Sequence, residues 1–171
     1  TMDKGVWVLS GVRTPFVTAG GQFTKTPVYE LGRVAVAEAI ARAELDPSLI
    51  DEVILGNCAM PAEAANSSRV VALRAGIPKQ VPAFTVHRNC ASGMEAVADA
   101  AYRIQAGDAK LLVAGGMDSM SQVPLQFKYE YGEWLAGLMR AKTPMQKLGA
   151  FAAFRPKLLA PRITLQEGLT D

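Results

Sequence analysis

The sequence predicts an α/β fold, a mainly parallel sheet with helices on its faces, and three observations lead there. Short apolar or β-branched runs at 5–11, 52–56, 83–87 and 110–115 recur along the first two thirds of the chain. Helical patterns fill the intervals between them. Each junction carries Gly, Pro or a capping side chain. Such alternation builds βαβ units, because neighbouring parallel strands need a crossover long enough to hold a helix.

Taken in order, residues 5–11 (GVWVLSG) read as a short buried strand, followed by an Arg13-Thr14-Pro15 turn and a small-residue loop at 19–21. Residues 28–45 are rich in Ala, Val and Leu and place Glu38 four residues before Arg42, the pattern of a largely buried helix with an i,i+4 ion pair. Asp46-Pro47 supplies a cap and a first-turn proline for a brief helix ahead of the strand at 52–56. A third helix is expected over 66–75, from capping Asn66 to a stop at Gly76. After the strand at 83–87, Met94, Val97, Ala98, Ala101 and Ile104 form one apolar helical stripe ending near Gly107, and 110–115 is the next strand. Beyond Pro124 the texture changes. Residues 128–171 show no convincing strand, begin a helix at Thr143-Pro144, and set Met145, Leu148, Phe151, Ala152 and Phe154 on one helical side. We therefore divide the chain at 1–125 and 126–171, the second part being an inserted helical subdomain. The last residues, 168–171, bring no cap or closing element, so the polypeptide is expected to continue.

Composition narrows the function. Half the 171 residues are apolar, 20% are charged, and the net charge is +2, which excludes a disordered polymer and a strongly basic nucleic-acid binder. The first 125 residues hold 11 basic and 12 acidic side chains, the remainder 7 and 4, and 134–157 contains no acid, so a local basic patch is expected. Two cysteines, Cys58 and Cys90, cannot form a disulfide framework, and one histidine excludes the usual Cys/His zinc patterns; no metal is expected. No apolar run approaches the ~20 residues that span a bilayer, and no signal pattern opens the chain, so the expected setting is cytoplasmic.

Cys90 carries the chemistry. In VHRNCASGMEAVADAAYRI a β-branched run ends, one thiol follows, and an amphipathic helix begins. Unpaired N–H groups and the positive end of the helix dipole favour thiolate there. Ala91-Ser92-Gly93 lets a substrate approach closely, and open α/β sheets place their sites at the carboxyl ends of strands. Position alone leaves a buried structural cysteine open. Cys58, in GNCAMP, reads as a packed thiol beside a turn. Gly115-Gly116 lacks the spacing of either phosphate-loop motif, so those glycines are read as a tight turn beside the Cys90 loop, with Met117 and Met120 as packing residues.

The segment from VHRNCASGM to VAGGMDSMSQVP resembles the amino-terminal active-site region of the thiolases, enzymes that make or cleave 3-ketoacyl-CoA. VWVLSGVRTPF, EVILGN and the closing LQEGLTD resemble the same family in the same order. The resemblance implies the layered α/β/α/β/α thiolase fold, of which this chain would supply the amino-terminal βαβ domain and the start of the loop domain. It implies that Cys90 forms an acyl thioester from a CoA substrate, which CoA or an acetyl-CoA carbanion then attacks. No resident cofactor is implied; coenzyme A is a substrate. The family's two histidines and second cysteine lie in a carboxyl-terminal half that these residues lack, so residues 1–171 alone are expected to be inactive. The single histidine, His87, is read as structural or interfacial. A homodimer or homotetramer with the 84–87 strand near the dyad is implied, and so is a partner subunit of a β-oxidation complex. For 134–157 three readings stand open: a solvated face over a lid, attraction of CoA phosphates, and contact with a partner subunit or an anionic membrane surface. Two alternatives to the enzyme reading are a non-catalytic half-chain completed by a partner and a decarboxylating ketoacyl synthase.

Overall fold

A computed structural model of the chain describes residues 5–163, which divide into two compact units, Thr1–Val123 and Pro124–Asp171. The LQEGLTD segment lies outside the described residues.

In the first unit, α1 (Val28–Arg42), β1 (Glu52–Gly56), α2 (Ser67–Arg74), β2 (Ala83–Val86), α3 (Ser92–Ala106) and β3 (Leu112–Gly116) follow one another in that order. The strands form one parallel sheet in the order β2-β1-β3, with Ile54 beside Phe84 on one flank and Ala114 on the other. Side-chain alternation along β1 sorts the core into two layers. Val53 and Leu55 pack with Val28, Val36 and Ile40 of α1 and Val71 and Ala72 of α2, whereas Ile54 packs with Ala96 and Ala100 of α3. The central strand is thus buried on both faces, and each of these Val, Ile and Leu side chains contributes roughly 1.5–3 kcal/mol by leaving water.

The local signals that place these elements are present as read from the sequence. Asp46 accepts the Ser48 amide at 2.9 Å ahead of a 3₁₀ turn at Pro47–Leu49. Arg42 reaches Glu38 at 2.7 Å. Asn66 caps α2 by accepting from Arg69 N, and α3 stops at Gly107, whose φ of 86° an L side chain rarely adopts. Asp51 ties the entrance of β1 to that of β3: its carboxylate accepts the Lys110 and Leu111 amides at 2.7 and 3.0 Å, which hold it below the usual carboxylate range.

Three expectations for this unit fail. Residues 5–11 are not a buried strand: the segment has no strand pairing, and Trp7 and Val8 are 84% and 86% exposed. A strand needs a neighbour to take its hydrogen bonds, and among the described residues this segment has none. The apolar stripe of α3 is also offset. Met94 is 78% exposed and Val97 52%, while the small Ser92, Ala96 and Ala100 face the sheet, because side chains of that size let the helix lie close to it. Gly115 and Gly116 belong to β3 rather than to a turn, and of the two methionines Met117 joins the core while Met120 is exposed.

The second unit is organised around Trp134. Its helices, α4 (Tyr129–Arg140) and α5 (Pro144–Ala152), are joined by a Thr143 capping box, as the Thr143-Pro144 signal predicts. The Trp134 indole N–H donates to Ala150 O at 2.8 Å, and its ring stacks on Tyr131 at a centroid distance of 5.8 Å and meets Phe154 in a tilted contact at 4.9 Å. Phe154 thus turns inward, whereas Met145, Leu148 and Phe151 remain exposed, so the expected single apolar side is split. A strand pair the sequence did not announce closes the unit: β4 (Leu125–Phe127) runs antiparallel to β5 (Pro161–Ile163). Three residues are too few to show a period of two. No described helix is long and apolar enough to cross a membrane.

Candidate active site

Cys90 lies immediately ahead of α3, with Ala91 as the N-cap residue, and is exposed. The loop that presents it is tightly wound. Asn89 adopts φ 48°, a left-handed conformation that Asn tolerates better than most residues. The Ala91 amide returns to Arg88 O at 3.0 Å, and the Ser92 amide to Asn89 O at 3.1 Å. Buried Ser92 closes the same loop through its hydroxyl, which accepts the Arg88 amide at 2.8 Å and donates to Asn89 O at 2.6 Å. Arg88 also pairs with Glu95, one turn into the helix.

Beneath the loop, the first turn of α3 rests on the carboxyl ends of β1 and β3. A Cβ on Gly56 would lie 2.3–2.5 Å from the Ser92 carbonyl group and the Gly93 nitrogen, and one on Gly116 would lie 2.9 Å from Gly93 Cα. Backbone meets backbone at these positions, so only glycine permits the approach. The strand ends are locked to each other as well: Asn57 Nδ2 donates to Met117 O at 2.7 Å, and the Asp118 carboxylate accepts the Cys58 and Ala59 amides at 2.9 and 2.8 Å. Asn57 is fully buried, and its Oδ1 has no partner among the described residues. Cys58 sits partly buried in this cluster. Desolvation raises its thiol above the usual range, and the nearby charges of Asp118 and Cys90 add to the effect.

The sequence-derived site residues therefore separate clearly. Cys90 and the Gly-Gly segment of β3 converge on the amino end of α3, and Cys58 stands near them as a packed thiol. His87 is exposed just past β2, where its Nδ1 accepts only a long 3.4 Å contact from the Asn89 amide. Sequence reasoning missed Gly56, Asn57, Ser92 and Asp118. The signal for Ser92 was its place in the Ala91-Ser92-Gly93 run; Asp118 carried none beyond its closeness to Gly115-Gly116. Among the described residues no group of three His, Cys, Asp or Glu side chains is placed to hold a metal ion.

An exposed thiol before a helix, seated on glycine-packed parallel strands, defines an α/β protein built around a cysteine-bearing helix terminus. Comparison gives the family: the thiolase N-terminal domain matches residues 6–152, so the chain belongs to the thiolases. It is 42% identical over 116 residues to a probable acetyl-CoA acyltransferase of Staphylococcus epidermidis, covering 68% of this chain and 29% of that protein. It is 35% identical over 154 residues to the 3-ketoacyl-CoA thiolase of Aeromonas salmonicida, covering 90% and 35%. The structure superposes with a TM-score of 0.69 on an Ascaris suum thiolase solved in complex with coenzyme A, at 35% identity, over 71% of this chain and 32% of that one. The chain spans about a third of the length of the relatives it matches.

Proposed function

We propose that this chain is the nucleophile-bearing part of an acyltransferase acting on CoA thioesters, with Cys90 as the residue that is acylated. In the thiolytic direction the Cys90 sulfur adds to the 3-keto carbon of a 3-ketoacyl-CoA. The bond between C2 and C3 breaks, acetyl-CoA leaves as a carbanion that takes up a proton, and the acyl group stays on sulfur as a thioester. The sulfur of a second CoA then attacks that thioester and restores the thiolate. In the condensing direction acetyl-CoA acylates Cys90 and CoA leaves; a second acetyl-CoA loses a proton from C2, and its carbanion attacks the acetyl thioester, breaking the bond to the Cys90 sulfur, which leaves as thiolate. Coenzyme A enters as a substrate rather than as a resident group. Storing the acyl group covalently divides one difficult step into two.

The observation that carries this reading is the placement of Cys90, exposed and ahead of the amino terminus of α3, on a seat of close backbone contacts. Helix-terminal N–H groups offer hydrogen bonds to the oxyanion that forms at the carbonyl. His87, the single histidine, is exposed and its Nδ1 accepts only the Asn89 amide at 3.4 Å; we assign the acid and base of the two proton transfers to the part of the family's length that this chain does not span. The proposal therefore includes inactivity of residues 1–171 alone. It also includes assembly as a homodimer or homotetramer through β2, which pairs on one side only among the described strands.

Thiolysis of acetoacetyl-CoA, followed by loss of the enolate absorbance, is the test. The isolated chain is expected to show no turnover. Joined to the part of the S. epidermidis relative that it does not match, it is expected to turn over, and Cys90→Ser is expected to lower that rate by at least about a thousandfold. Turnover by the isolated chain, or unchanged turnover in the serine variant, would contradict the proposal.

A further inference from the structure

Among the described residues only two that are not glycine hold a left-handed backbone, Glu44 at φ 52° and Asn89 at φ 48°. Glu44 follows the last turn of α1, where its amide returns to Ala41 O at 3.0 Å and the Leu45 amide to Ile40 O at 3.2 Å, a common way to end a helix. Asn89 ends no helix. It stands between β2 and α3 and immediately precedes Cys90.

Two overlapping turns meet at this position. Arg88 O accepts from the Ala91 amide and Asn89 O from the Ser92 amide, so Cys90 is the second corner of one turn and the first corner of the next. Ala91, at φ −92° and ψ 3°, has the second-corner geometry of a type I turn, about −90° and 0°, which sets Cys90 in the right-handed region. The chain therefore changes hand between Asn89 and Cys90. Were Asn89 right-handed too, the consecutive turns would run on into α3 and take Cys90 into the helix; the left-handed residue keeps the thiol ahead of it. The surroundings fix this conformation. The Ser92 hydroxyl accepts the Arg88 amide and donates to Asn89 O, while the Asn89 amide donates to His87 Nδ1 at 3.4 Å. The Asn89 side chain itself is exposed and makes no hydrogen bond among the described residues, so its contribution is tolerance of this backbone rather than a contact.

We infer that Asn89 is a positioning residue for the acylation of Cys90: its left-handed backbone aims the sulfur, and its side-chain amide takes no part. The inference rests on Cys90 being the acylated residue. Asparagine enters the left-handed region more readily than most residues, whereas a β-branched residue there is an outlier. Replacing it lowers the fraction of molecules whose thiolate points at the carbonyl, which slows acylation without weakening the hold on coenzyme A.

The test uses the chain joined to the unmatched part of the S. epidermidis relative, with thiolysis of acetoacetyl-CoA as the readout. Asn89→Val is expected to lower kcat at least about tenfold while KM stays within about threefold, and Asn89→Gly, the conservative variant for this backbone, to keep kcat within about threefold of the parent. Asn89→Ala is expected to fall between them. Should Asn89→Val fail to fold, the Ala and Gly variants decide, being one methyl group apart at an exposed position: a kcat about threefold or more lower in Asn89→Ala supports the inference, and equal rates overturn it. Parental kcat in a folded Asn89→Val chain overturns it, as does a rise in KM with kcat unchanged. So does a loss of about tenfold in Asn89→Gly, which would make the side-chain amide the active part. A Cys90→Ser chain that keeps parental turnover overturns the proposed function and this inference with it; a parent that loses turnover in Cys90→Ser yet is indifferent to Asn89→Val counts against this inference alone.

Discussion

The carboxyl ends of β1 and β3 and the outer edge of β3 are a few residues apart, yet they are built to opposite standards. At the strand ends, Gly56, Gly93 and Gly116 bring three backbones together, Ser92 satisfies two loop groups, and Asp118 and Asn57 tie the strand exits to each other. At the edge, Val97 and Trp7 stand exposed around space. The seat of Cys90 is closed by backbone contacts between β1, β3 and α3, whereas the outer edge of β3 has no strand partner among the described residues.

Substitutions sharpen this contrast. Gly56→Ala is expected to have the largest effect, about 3 kcal/mol lost in urea unfolding, because its Cβ would meet the fixed backbone of Ser92 and Gly93. If the protein tolerates it at under about 0.5 kcal/mol, the close packing beneath Cys90 is not structural. Ser92→Ala follows at about 2 kcal/mol, since it leaves the Arg88 amide and the Asn89 carbonyl without the hydroxyl they share. The same unfolding series measures it.

Asp51 stands between the two regimes, pinning the start of β3 from an exposed position. Asp51→Ala is expected to cost about 1 kcal/mol near neutral pH, after allowance for solvent screening. Its carboxyl is held below the usual range in the folded chain, so this stabilisation is complete above the unfolded value near 4 and disappears as pH falls through the lower folded value. Urea midpoints of parent and variant should therefore converge as the pH falls below the unfolded value and through the lower folded one, and a gap that widens on acidification contradicts the assignment. The smallest effect belongs to the open edge: Val97→Ser is expected to change the stability of this chain by less than about 0.5 kcal/mol. Iodoacetamide gives a chemical version of the comparison. Exposed Cys90 should be alkylated before Cys58, whose thiolate desolvation disfavours.

How far the sequence reached follows the same division. Capping residues and helix stops are local chemistry, and Asp46, Asn66, Thr143 and Gly107 all act where the sequence placed them. Cys90 was legible because strand, small-residue turn and helix adjoin it along the chain. Asp118 and Gly56 were not, for their roles exist only once β1 and β3 lie side by side. The strand expected at 5–11 has no neighbour to take its hydrogen bonds among the described residues, and the stripe of α3 is displaced because the small Ser92, Ala96 and Ala100 let the helix lie closer to the sheet. In the second unit, Phe154 departs from its expected side and packs its ring at a tilt against Trp134.

The most direct test of the central claim is to find which atom becomes acylated. The chain joined to its complementary part would be mixed with acetoacetyl-CoA, quenched in acid and mapped by peptide mass. An acetyl group confined to the peptide holding Cys90, and lost in Cys90→Ser, is the predicted result. An acetyl group on Cys58, or equal labelling of the serine variant, would contradict it.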